Sequence, residues 1–209
     1  MSPFRIYLSL DFLLATYLGM WNAMVPIVLL GRFGTAGVVA YEIALATSAF
    51  IALPVAASWT EGLSRSKVLR WACVIIVLCG VSRVVIASAT HSVTFWMVND
   101  MVAVAAFAVL QPLLSIYPAE LVEKARVLSA FRLKRVTVNL GRIIGPLFAA
   151  AALLLSTHQY ALWCVALFGG VLLPLLSRLP VLPSMSGIGT SAPAPARTWF
   201  RRAFAGFTL

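Results

Sequence analysis

An all-α membrane protein, a polytopic bundle of six transmembrane helices, is the fold class this sequence predicts, and three observations predict it. Of 209 residues, 62% are hydrophobic and only 11% are charged, well beyond the roughly 45–50% apolar content of soluble domains. The apolar residues fall in runs near the ~20 residues that a helix needs to cross a hydrocarbon core about 30 Å thick. Lysines and arginines gather on alternate connections between those runs, which is the pattern a multi-pass chain follows under the positive-inside rule. Lipid offers the backbone no hydrogen bonds, so a span must be a helix or part of a closed barrel. The sequence lacks the residue-by-residue alternation of a lipid-facing barrel.

The first run, residues 5–30, is entered through SPFRIYLSLDFLLATYLGMWNAM. Its apolar stretch is too long for a secretory signal, carries Asp11 and leads into further spans, so it reads as an uncleaved first helix. The second run, 36–58, follows the connection GRFGTAG, which carries Arg32 alone. Runs 68–88 and 93–116 are separated by ATHS, and runs 133–156 and 159–178 by STHQ. On the opposite side stand Arg5, then Arg65, Lys67 and Arg70, then five bases from Lys124 to Arg135, then Arg178, Arg197, Arg201 and Arg202. Thirteen of the sixteen Lys and Arg therefore mark one face as cytoplasmic, against Arg32 on the other and Arg83 and Arg142 within spans. This predicts a multi-pass protein of the cytoplasmic (inner) membrane with both termini inside.

Residues 1–180 form the expected six-helix domain. Residues 181–198, rich in Pro, Ser, Gly and Ala, cannot bury a core and read as a cytoplasmic linker. Residues 199–209, WFRRAFAGFTL, read as an amphipathic interfacial tail or as the start of a seventh helix, since Phe200-Arg201 echoes Phe4-Arg5.

The net charge of +10 does not indicate nucleic acid, because the bases lie in short clusters between apolar runs. Cys73, Cys79 and Cys164 all fall in apolar runs without metal-ligand spacing, so neither metal nor cofactor is expected. No nucleophile elbow, P-loop or H-E-x-x-H motif occurs; an enzyme is not expected.

Charges inside spans are costly and usually face a bundle interior or wet cavity. Glu42, Arg83 and Asp100 lie at similar depths, about 7–10 Å below the outer boundary, and are expected to form a network in which a carboxylate carries a proton. The alternative is that Glu42 and Arg83 reach the outer headgroups. Asp11 and Arg142 share a depth near the inner boundary, where a pair between them accounts for both, unless Arg142 snorkels to the surface. Asn22, Asn99 and Gln111 either line a path or hold helices together. Trp59, Trp71, Trp96 and Trp163 fall near predicted span ends, as interfacial belts do. Gly141 and Gly145 form G-x-x-x-G, which allows close helix approach, and Pro146 frees the carbonyl of Arg142.

The segment IYPAELVEKARVLSAFRLKRVTVNLGRIIGPLFAAAALL resembles the end of helix four, the following loop and helix five of the major facilitator superfamily, in its drug and siderophore exporter branch, with an enterobactin-exporter-like pattern. Pro118, Leu121, Val122, Asn139, Arg142, Gly145 and Pro146 carry the likeness, which covers residues 4–180, one six-helix half of a fold normally built from two. The resemblance implies a helix-five interface motif at Asn139, Arg142, Gly145 and Pro146, placed between halves. It also implies a charged loop of the type G-x-L-a-D-R-x-G-R between helices two and three. Here ASWTEGLSRSK supplies Glu61, Arg65 and Lys67 as cytoplasmic gate candidates, but has Ala57 for the glycine and Gly62 for the first base.

The implied function is a half-size or truncated secondary transporter subunit that exports a small amphipathic compound on proton influx. Such a half needs homodimerisation or a separate partner half. Its partners are the bilayer, a small-molecule substrate and that second half, with no nucleic acid. Substrate and proton pathway candidates are Asp11, Asn22, Glu42, Arg83, Asp100 and Gln111. A non-transporting scaffold or assembly factor with a facilitator-like fold is the alternative, favoured by the degenerate loop. A product broken off as helix seven begins is a third reading.

Overall fold

In a computed structural model the chain is described at residues 2–59, 65–89, 92–155 and 157–179, with side chains at all of these except 53–59 and 65. The expected linker and tail lie outside the described residues, as does Glu61. The order is α1 (Pro3–Trp59), α2 (Arg65–Ala89), α3 (Val93–Leu121), a short 3₁₀ turn (Lys124–Arg126), α4 (Val127–Leu155), α5 (His158–Gly170) and α6 (Leu172–Ser177). Among the described residues five stretches are long and apolar enough to cross a membrane, the last being α5 and α6 together as His158–Ser177.

Six such runs were expected, and five are seen because the first two are joined in α1. That run is 57 residues long, about 85 Å if straight, nearly three times a hydrocarbon core. It is not straight. Gly34 leaves helical geometry at φ 66°, ψ −172°, a backbone conformation open to glycine and closed to side chains with a Cβ. The connection GRFGTAG has no proline to stop helical hydrogen bonding on either side, so the break is confined to one residue. The two limbs, 3–33 and 35–59, fold back on each other. Trp21 and Tyr41 would stand about 30 Å apart on one straight helix, yet both meet the Arg83–Asp100 pair: Arg83 stacks over the Trp21 ring and Tyr41 bonds Asp100.

Elsewhere the boundaries follow local chemistry. Ser92 caps α3 by accepting a hydrogen bond from the Thr94 amide at 3.3 Å. Helix α3 continues to Leu121 through Pro112 and Pro118, whereas the expected span ended at residue 116. Pro118 has no N–H, so the carbonyl four residues earlier, Leu114, loses its intrahelical donor. Two other helices supply replacements: Tyr7 Oη donates to it at 2.7 Å and Lys134 Nζ at 2.9 Å. Tyr7 also stacks on Tyr117 with centroids 5.9 Å apart. A proline that would weaken an isolated helix thus ties α1, α3 and α4 together.

This makes a measurable cycle. Tyr7→Phe with Lys134→Met leaves the Leu114 carbonyl without a donor and is expected to lower stability by about 2 kcal/mol. Adding Pro118→Ala, which restores the N–H, should recover the part of that loss that belongs to the carbonyl, the rest being the Tyr7 hydroxyl and the Lys134 cation that buried Asp11 loses with them. Unfolding midpoints of the three proteins in one detergent check it, and no recovery on adding Pro118→Ala would mean the carbonyl is not the point of attachment.

The strongest helix contact is α4 on the first limb of α1. A Cβ added at Gly141 would stand 2.7 Å from the Phe12 carbonyl oxygen and 2.9 Å from Ala15 Cβ. One added at Gly145 would collide with the Thr16 carbonyl and lie 2.9 Å from Gly19 Cα. Ala15 and Gly19 are the matching small pair on α1. The G-x-x-x-G motif therefore joins two helices of this chain. Outside the core, large apolar side chains face outward all round: Phe50, Trp71, Leu154, Leu155 and Leu167 are each more than two-thirds exposed. Water would not tolerate such a surface, and lipid does. Trp71 and Trp163 are on this surface, but Trp96, expected in an interfacial belt, is fully buried in the core.

Candidate functional site

Both limbs of α1 together with α2, α3 and α4 line a cavity of about 810 Å³, which α5 and α6 do not reach. All six pathway candidates, Asp11, Asn22, Glu42, Arg83, Asp100 and Gln111, are on its wall. From Asp11 to Trp21 along α1 the polar lining extends about 15 Å.

At one end lies the buried ion pair. Arg83 Nε donates to Asp100 Oδ1 at 2.6 Å, with the side chains 10% and 1% exposed. Asn99 Nδ2 donates to the same oxygen at 2.8 Å and also reaches the Cys79 carbonyl at 3.1 Å. Tyr41 Oη donates to Asp100 Oδ2. Ser82 Oγ sits against Asn99 Oδ1 and 2.9 Å from the Cys79 carbonyl. The carboxylate thus has donors on both oxygens, which is what a charge removed from water requires. The Arg83 guanidinium carbon stands 4.5 Å from the centroid of the Trp21 ring, within cation–π range. Trp21 meets Tyr17 edge-on, centroids 6.1 Å apart.

The expected three-member network is therefore two-membered. Glu42 lines the cavity but is exposed and makes no ion pair among the described residues. Its neighbour Tyr41 takes the place, because adjacent positions on a helix point about 100° apart and Tyr41 is the one directed at Asp100. Arg83 does not reach outward to headgroups; Asp100 holds it inside. Asn99 holds helices together and is not on the cavity wall, while Asn22 and Gln111 are exposed on that wall.

At the other end Asp11, 5% exposed, has Oδ2 3.2 Å from Tyr7 Oη, whose single proton is shared with the nearer Leu114 carbonyl. Lys134 and Arg142 are its cationic neighbours, but the expected Asp11–Arg142 ion pair is not formed among the described residues. Arg142 is exposed at the cavity mouth, with Pro146 also on the wall. The carbonyl that Pro146 frees, Arg142 O, faces Gly19, 3.5 Å from where a Cβ on that glycine would be. Asn139 lines a second, shallower recess of about 470 Å³ with Lys134, Arg135 and Arg142. Gly145 lines neither, being packed on α1. Of the gate candidates, Lys67 is exposed on α2, Arg65 opens that helix with its side chain outside the description, and Glu61 lies outside the described residues.

No model of a known protein family matches the chain, and no curated protein matches it. The facilitator likeness rests on the motif residues themselves.

Two residues central to the site were missed by sequence reasoning. Tyr41 lies in the second apolar run with nothing in its spacing to single it out. Lys134 was counted among the loop bases, yet α4 begins at Val127, two turns earlier, and places it half-buried on the cavity wall. The recurrence of Ala130, Val138 and Gly141 on one helical stripe that also passes through Lys134 is the signal that helix starts before the span does.

Proposed function

We propose that this chain is the six-span half of a facilitator-type secondary transporter, set in the cytoplasmic membrane with both termini inside. It moves a small amphipathic compound outward in exchange for protons. The limbs of α1 count as two crossings and α5 with α6 as one, which makes six with α2, α3 and α4. The observation that carries the reading is the convergence of six intramembrane polar residues from four of these crossings onto one cavity. Charges in lipid-embedded helices are expensive unless they serve a path or a pair, and here they do both. Asp100 and Asp11, each beside cations within the cavity, are the proton-carrying candidates. The cavity has walls from one half only, so a second half, another copy or a separate chain, closes it.

Reconstitution tests this. In proteoliposomes carrying a pH gradient, the protein should drive flux of an amphipathic dye, and Asp11→Asn with Asp100→Asn should abolish its dependence on the gradient in protein whose unfolding midpoint shows it folded. Proton-dependent flux that survives both neutralisations would sink the proton path. Absence of any flux, with or without a crosslinked second half, would leave the scaffold reading standing.

A further inference from the structure

The guanidinium of Arg83 has more donors than the protein uses. Among the described residues its single hydrogen bond runs from Nε to Asp100. The four N–H bonds of its two Nη atoms have no acceptor among the described residues. They are not sealed in the core either: the fully buried side-chain atoms left without a partner are Tyr17 Oη, Trp21 Nε1 and Trp96 Nε1, and the Arg83 nitrogens are not among them. Arg83 is 8% exposed and lines the cavity, so that small exposure is the Nη edge opening onto it.

This edge is also held still. Asp100 fixes Nε, and the Trp21 ring covers one guanidinium face at 4.5 Å. A planar pair of N–H donors at a set angle in a low-dielectric cavity is the arrangement that binds a carboxylate through two parallel bonds. Leu18, Val25, Pro26, Leu45 and Phe107 make the adjoining wall apolar.

We propose that the Nη edge of Arg83 is an anion-binding site that takes the carboxylate of an amphipathic organic acid, whose apolar body lies against the Leu45 and Phe107 wall. The proposal deepens the transport reading by naming its substrate class, and rests on the cavity being a ligand path. Asp100 tempers the site. It already balances the single charge of Arg83, so the ligand binds through the free Nη donors weakly and reversibly, as a transported substrate must.

Binding is read without transport, in nanodiscs of phosphatidylcholine, which carries no net charge and so excludes an anionic lipid as the source of the effect. Salicylate, which quenches indole fluorescence, is titrated against the purified protein, with salicylamide as the neutral isostere and inorganic phosphate as the anion without an apolar body. Saturable quenching by salicylate, at least about tenfold tighter than by salicylamide, is expected, with the saturable component absent in Trp21→Phe. Arg83→Gln combined with Asp100→Asn removes both charges and leaves no orphan, and should weaken salicylate at least tenfold. Asp100→Asn alone makes the ligand the only anionic partner of Arg83, so salicylate should raise its unfolding midpoint more than that of the unaltered protein.

Equal binding of salicylate and salicylamide, or unchanged affinity in the double variant, would overturn the site. Phosphate as effective as salicylate would overturn the substrate class. Salicylate binding that follows Arg83 in a protein without flux leaves the site standing and removes the transporter. Flux of a neutral or cationic compound that ignores the double variant does the reverse.

Discussion

Asp100→Ala is expected to destabilise the bundle by about 3–5 kcal/mol, the cost of leaving one member of a buried ion pair without its partner. Asp100 is fully buried and receives Arg83, Asn99 and Tyr41. Its removal strands the guanidinium, the Asn99 amide and the Tyr41 hydroxyl together in a medium where each unpaired donor is penalised. The effect should be far from additive. Arg83→Gln with Asp100→Asn replaces a charged pair by a neutral hydrogen-bonding one of similar shape, and should restore most of the lost stability. Unfolding midpoints of the single and double variants in the same detergent decide it: a double variant as unstable as the sum of its parts would show that the two residues contribute through separate contacts.

Gly145→Leu should be nearly as damaging, by about 3 kcal/mol, at the upper end of what overpacking costs. The atoms a side chain would strike are the Thr16 carbonyl, Gly19 Cα and the Met20 amide of α1. All are backbone, so no rotamer change relieves the clash and α1 must move away from α4 as a whole. Pro146 follows directly, and its ring Cδ would lie 3.1 Å from a Cβ built on Gly19, so the opposite face of the contact is close but less tight. Gly19→Leu should act in the same direction with a smaller effect than the Gly145 variant. Gly170→Leu is the control, since nothing lies within 4 Å of a Cβ there. Loss of folded, monodisperse protein in the first two and not in the third is the expected pattern. Equal behaviour of all three would remove the α1–α4 contact from the account of what holds the bundle together.

Much of the architecture was legible before any coordinates. Run length and hydropathy located α2 and the α5–α6 stretch to within a few residues, because a backbone that must satisfy itself in lipid becomes a helix of set minimum length at each crossing, whereas α4 begins two turns before its apolar run. Small residues at Gly141 and Gly145 announced a close helix pair, though not its partner, since spacing describes one surface and contact requires two. The six pathway candidates were chosen by one physical criterion, a polar group where polar groups are costly, and the structure puts all of them on one wall.

Pairing was much less legible. The sequence places charges by depth along a helix, and Glu42, Arg83 and Asp100 share a depth. Which of them meet depends on rotation about each helix axis, and that angle is set by packing. Tyr41 therefore bonds Asp100 while Glu42, one residue on, faces open space. Asp11 and Arg142 share a depth too, but α1 and α4 approach through their glycines, and Asp11 finds Tyr7 instead. Rules about single residues also mislead where a neighbour reverses them. Pro118 reads as the end of a helix, yet the carbonyl it frees becomes the acceptor for Tyr7 and Lys134 from two other elements.

Composition and the order of charges along the chain are enough to make this an all-helical protein whose natural solvent is lipid, because a helix satisfies its own polar backbone without water and the alternation of a closed barrel is missing from the sequence. The turn at Gly34, the partner of each buried charge and the cavity on which the polar residues converge belong to the packed helices alone. Depth is a property of one strand of sequence; azimuth is a property of neighbours, and a site is made by azimuth.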